Sequence, residues 1–192
     1  MLLLLACVAP DTWWESTYSG SIDRPDSVVD SLVDSDSDIV HSGDSDTADS
    51  QEPEVIVIYA VRHAEKDSGS NPGLTEEGQA RALALAERMA DIELEAVYAT
   101  EFLRTQETVQ PTADAKGLEV ITDIEPKEEL PAFILDNHGN HTLLHAGHSF
   151  TLMTFMENLG LEDPPSLSGY GQLWILTVTD GVVTVEMDSF GD

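Results

Sequence analysis

A chain of 192 residues with 41% apolar content has room for one domain of ordinary size and a real core. Its formal net charge of -29, with 37 acidic residues against 8 Lys and Arg, excludes nucleic acid as a partner, because phosphate backbones are held by clustered basic side chains. So acidic a composition favours solubility and suits a salt-rich medium, and it makes every retained arginine a residue to account for.

The chain opens on MLLLLACV, and Cys7 is its only cysteine, so no intrachain disulfide is expected. Leu4-Leu5-Ala6-Cys7 resembles a bacterial lipobox. That resemblance implies a lipidated Cys7, a leader over residues 1–15 and a membrane tether at the cell envelope. No basic residue precedes the run, which is shorter than the roughly 7–15 apolar residues of an export signal, so an unprocessed apolar start in a cytoplasmic protein stays open. From 16 to 54 the composition turns to Ser, Asp, Thr and Gly, as in DSLVDSDSDIVHSGDSDTADSQEPE. Such a stretch repels itself and has little apolar surface to offset its ordering entropy, so an acidic, disordered linker is expected. No other stretch approaches the roughly 20 apolar residues of a membrane span.

Residues 55–192 read as an α/β domain. Val55–Val61 is apolar without interruption, the pattern of a strand buried on both faces. LTEEGQARALALAERMA predicts a helix capped by Thr75, with Glu76 and Glu77 at the positive end of its dipole and Ala82, Leu85, Ala86 and Met89 on one face. A short strand follows at Ala96–Ala99. A second helix is expected from Glu101 to Lys116, with Thr100 as its cap and Gly117 at its end. Leu118–Thr122 and His141–Gly147 predict two more strands, and SFTLMTFMENLG a helix closed by Gly160. Asp180-Gly181 marks the turn of a terminal β-hairpin. Strands alternating with helices predict a three-layer sandwich around a mostly parallel sheet, with an antiparallel edge.

In open α/β sheets ligands collect at the carboxyl ends of the strands. Three such ends carry unusual residues: Arg62-His63, Arg104 in the first turn of the second helix, and His148. Alone, each reads best as half of a surface ion pair. Together, two guanidinium groups and two imidazoles near a helix N-terminus make a phosphate pocket.

VRHAEK, LTEEGQARA, VYATEFLRTQET and LLHAGHS, in this order, resemble the histidine phosphatase superfamily, the phosphoglycerate mutase-like proteins, in its small-domain branch. The resemblance runs from about Val55 to Val185. It implies a phosphoglycerate mutase-like fold and hydrolysis of a small phosphorylated substrate through a phosphohistidine. His63 would be the nucleophile, Arg62 and Arg104 would hold the phosphoryl oxygens, and His148 would complete the pocket, with no cofactor. A neutral imidazole is nucleophilic near pH 7, and planar, permanently charged guanidinium groups match the charge spread over three phosphoryl oxygens. Of Glu125, Glu128 and Glu129, in the short interval where larger relatives carry a proton-donating glutamate, Glu128 is assigned by position as general acid. That short interval argues against mutase activity, which needs a site closed to water. Two alternatives stay open: a phosphate-binding module without turnover, and a phosphohistidine-protein phosphatase. His138, His141 and His145 lack the spacing of a helical metal-binding pair, so no metal is expected there, and His145 reads as a hydrogen-bonded core residue.

Overall fold

A strand as continuously apolar as Val55–Val61 needs cover on both faces. The computed structural model, which describes residues 53–122, 127–166 and 169–191, supplies that cover. Strand β1 (Val55–Arg62) lies parallel to β4 (Thr142–Gly147), β4 to β2 (Ala96–Ala99), and β2 to the short β3 (Val120–Ile121). On its other side β1 pairs antiparallel with β5 (Gln172–Thr179), which forms a hairpin with β6 (Val182–Ser189). The resulting 6-stranded sheet has the order β3-β2-β4-β1-β5-β6.

Alternate residues of each central strand serve opposite layers. Tyr59, Val61, Val97 and Leu144 pack with Leu85 and Met89 of α1 (Glu76–Arg88) and Val109 and Ala113 of α2 (Leu103–Lys116). On the other face Ile58, Ala60, Leu143 and Trp174 pack with Ile134 of α3 (Leu130–Asn137) and Leu152, Phe155 and Met156 of α4 (Ser149–Leu159). The fold is the expected three-layer α/β sandwich.

Local chemistry sets most of the element ends. The Thr75 hydroxyl accepts the Gly78 N–H at 3.1 Å, as a cap should. Gly117 and Gly160 close α2 and α4 at φ 68° and 108°, a region open to glycine at little cost. Asp180 and Gly181, at φ 50° and 77°, make the turn whose twist matches the hairpin strands.

Two expectations need correction. Helix α2 begins at Leu103, not Glu101, and its N-cap position is Phe102, so Thr100 is not the cap. The short interval that carries Glu128 and Glu129, where no helix was expected, contains a 3-10 turn (Lys127–Glu129) leading into α3, which carries Pro131 in its first turn, where a missing N–H costs nothing. Residues 1–15 with Cys7, the acidic stretch up to Glu52, and Glu125 lie outside the described residues. Among the described residues no helix is long and apolar enough to cross a membrane.

Candidate active site

The strand order brings the four candidates together. Arg62 pairs with Gly147 in register, so the end of β1 lies beside His148, while β2 ends next to β4 with Ala99 opposite Ala146. The His63 N–H donates to Gly147 O at 3.0 Å and the Thr100 N–H to Ala146 O at 3.2 Å, which extends the sheet pattern into the residues that carry the chemistry. The His63 and His148 rings stand edge to face, with centroids 5.3 Å apart.

His63 is 4% exposed, and its Nδ1 lies 2.8 Å from the Ala64 carbonyl oxygen. A carbonyl only accepts, so Nδ1 holds the proton and Nε2 keeps its lone pair. Burial lowers the pKa of His63, and Arg62, Arg104 and Lys66 lower it further, against the Ala64 hydrogen bond. Sequence reasoning missed the anchor behind this loop. The buried Thr108 hydroxyl accepts the Ala64 N–H at 2.9 Å and donates to Arg104 O at 2.7 Å, tying α2 to the His63 turn.

The surface ion-pair reading of the arginines fails among the described residues. Arg81 and Arg88 are taken up by Glu65 and Asp188, whereas Arg62 Nε and Arg104 Nε are buried with no hydrogen-bond partner. Each guanidinium instead lies over a ring: Arg62 at 4.6 Å from the centroid of Tyr170, Arg104 at 4.5 Å from that of Phe102. Such stacking orients the planar fork without using its donors. Two cations with no carboxylate partner among the described residues, in a chain this acidic, make this strand end a candidate anion site.

His148 sits at the N-cap of α4. Its backbone N–H donates to Thr151 Oγ1 at 2.9 Å, which fixes the first turn of the helix. Its Nε2 lies 3.3 Å from Thr100 Oγ1, which in turn lies 2.8 Å from Thr105 Oγ1. Thr100 is thus a positioning partner of His148, which explains why it does not cap α2. Beyond Thr100 opens a largely apolar cavity of about 130 Å³, lined among others by Glu128, Leu130, His145, Phe150 and Phe155. Glu128 therefore shares a cavity with the hydroxyl that touches His148.

Glu65 was also missed. It takes the Nε of Arg81 at 2.8 and 2.9 Å, while Arg81 Nη1 donates to Gly191 O at 2.6 Å. Burial is the largest single influence and raises the Glu65 pKa, but the Arg81 hydrogen bonds, a backbone hydrogen bond and the nearby positive charge of Arg81 together leave it lowered. This pair braces the turn after His63 on α1. His145 is a core residue as expected: its ring lies against Phe155, and burial pushes its pKa down to about 4, against a backbone hydrogen bond at Tyr98.

Residues 58–130 match the family model described as "Histidine phosphatase superfamily (branch 1)". No curated protein sequence matches the chain. Among solved structures, the protein histidine phosphatase SixA complexed with tungstate is similar at 21% identity and TM-score 0.58, over 69% of this chain and 96% of that one. Bacillus stearothermophilus YhfR has 19% identity and TM-score 0.56, over 71% and 98%. Phosphoglycerate mutase from Bacillus anthracis str. Sterne has 14% identity and TM-score 0.54, over 71% and 93%. At these identities the likeness is one of fold: the sandwich is phosphoglycerate mutase-like.

Proposed function

We propose that this chain is a phosphomonoester hydrolase working through a phosphohistidine on His63. The observation that carries the reading is the Nδ1–H of His63 held on Ala64 O, which leaves Nε2 unprotonated near Arg62 and Arg104, whose Nε atoms have no hydrogen-bond partner among the described residues. Nε2 donates its lone pair to phosphorus, the bond to the leaving oxygen breaks, and that oxygen takes a proton. Water then attacks phosphorus, the P–N bond breaks, and inorganic phosphate leaves with Nε2 restored. Arg62 and Arg104 meet the charge on the three equatorial oxygens, with His148 as a further donor. They bring the positive charge that a metal would otherwise supply, so the step is proposed as metal-independent. The tungstate held by the SixA of similar fold is an oxyanion of the same shape class as phosphate.

Glu128 is proposed as the acid, supported by its place in the cavity beside Thr100 and His148. The apolar lining of that cavity favours a leaving group with an apolar part. In a reaction stopped rapidly with alkali, a reactive phosphomonoester should leave phosphate on His63 as a base-stable, acid-labile adduct. His63→Ala should remove adduct and turnover together. Tight vanadate binding with no adduct from any substrate would instead make the chain a phosphate-binding module. Glu128→Gln should slow an alkyl phosphate by about 100-fold or more and an aryl phosphate with a good leaving group far less. Equal losses on both substrates would remove Glu128 from the role.

A further inference from the structure

The second histidine cluster lies at the opposite edge of the sheet. Glu95 directly precedes β2, His141 directly precedes β4, and His138 ends α3; each offers a ligand atom, all within 4.8 Å of one another. Strand β4 has 6 residues, so at about 3.3 Å per residue this cluster stands on the order of 20 Å from His148. We propose that Glu95, His138 and His141 form a binding site for one divalent transition-metal ion of the zinc class, with a fourth position open to water.

Two imidazoles and one carboxylate are a donor set for zinc, cobalt or nickel. A tetrahedral ion with bonds near 2.0–2.1 Å wants its donors about 3.3 Å apart. His141 Nδ1 and Glu95 Oε2 lie 2.6 Å apart and all three donors lie within 4.8 Å of one another, close enough for small side-chain rotations to bring them around one ion. A simple ion pair would aim the His141 N–H at the carboxylate. Instead His141 Nδ1 is buried and makes no hydrogen bond, although the carboxylate oxygen is close.

The backbone that presents these side chains is fixed before any ion arrives. Asn140, at φ 61°, turns the chain between the two histidines, and its Oδ1 accepts the Val55 N–H at 2.9 Å. The His141 carbonyl accepts the Val57 N–H at 2.9 Å, and the Glu95 N–H donates to Thr142 O at 2.9 Å. His138 has the outer partner that metal-bound histidines usually have: its Nε2 lies 2.7 Å from the Tyr98 hydroxyl, which leaves Nδ1 for the ion. The rings are half-buried and Glu95 is exposed, so the ion has a path in. When bound, it would clamp the turn after α3 to the starts of β2 and β4, at the end of the strands opposite the phosphoryl chemistry.

Titration of the full chain with Co2+ tests this. One equivalent should give the visible absorption of a four- or five-coordinate ion, and Zn2+ should displace it. His138→Gln and His141→Gln should each weaken binding by about tenfold or more, Tyr98→Phe by about 10–100-fold, and His63→Gln and Cys7→Ser should leave it unchanged. In the wild-type protein Zn2+ should shift the ring signals of His138 and His141 in nuclear magnetic resonance spectra and leave those of His63 and His148 in place. That measurement decides the question even where a variant fails to fold. No Co2+ band at micromolar concentrations, a band that survives both histidine substitutions, or one lost with His63→Gln would overturn the proposal.

Discussion

On the proposed mechanism His63 attacks only while its ring is neutral, and its surroundings act on that one proton from several sides. Burial disfavours the imidazolium most, and the positive charges of Arg62, Arg104 and Lys66 add to this, so its pKa falls below 6.5 despite the opposing Ala64 hydrogen bond. A lowered pKa on a base means that the neutral, active form persists to more acid pH than for a free histidine. Its ring signal, followed by nuclear magnetic resonance, should therefore titrate below 6.5, and kcat/KM should fall only as pH drops through that lowered value. Arg104→Ala should move the titration upward while cutting turnover by about 100–1,000-fold, because it removes both a cation facing the imidazolium and a donor facing the transition state. An unmoved titration would mean that Arg104 does not face the His63 ring. Thr108 contributes through position alone: its hydroxyl bridges Ala64 N and Arg104 O, so one side chain sets the spacing between nucleophile and guanidinium.

At the scale of elements, the turn after β1 is held against α1 by a close backbone approach at Gly78. A Cβ there would strike the carbonyl oxygen of Glu65, which also accepts the Thr75 N–H at 3.0 Å, so nothing flexible can give way. Gly78→Ala should cost about 1–3 kcal/mol, read as a lower denaturant midpoint, and should lower kcat as the His63 turn shifts. Unchanged stability would show that the turn moves freely on α1. The elements that sequence made legible have strong local chemistry: the apolar β1, the Thr75 cap, the helix-closing glycines and the Asp180-Gly181 turn. Helix α3 was illegible because it is short, at 8 residues, and its Pro131 reads as a breaker unless it is placed in a first turn. The grouping of Arg62, His63, Arg104 and His148 was legible because they stand at or shortly after the carboxyl ends of strands. Thr100, Thr108 and Tyr170 were not, since their roles depend on which strands and helices become neighbours. Glu95 and His141 meet for the same reason, through the pairing of β2 with β4.

Across the whole molecule, the site asks an acidic chain to bind an anion. The long-range field of a net charge of -29 repels a phosphomonoester dianion, whereas the two arginines attract it at contact. These terms respond differently to salt. The field is exponentially screened, over about 30 Å at 0.01 M ionic strength and about 8 Å at 0.15 M, while a direct guanidinium contact in a half-buried pocket is screened much less. Between those salt concentrations repulsion should therefore fade faster than attraction, and kcat/KM should rise by severalfold with sodium chloride. The melting temperature should rise in parallel, because the same screening relieves repulsion among 37 acidic side chains, while exposed pairs such as Arg88–Asp188 are worth too little to reverse the trend. Sulfate should depart from chloride in one respect only: it should stabilise the fold and yet lower kcat/KM, because it is an oxyanion that competes for Arg62 and Arg104. If kcat/KM fell steadily with sodium chloride from the lowest ionic strength, the local field of the arginines would control the approach of substrate, and the acidic surface would be electrostatically remote from the site.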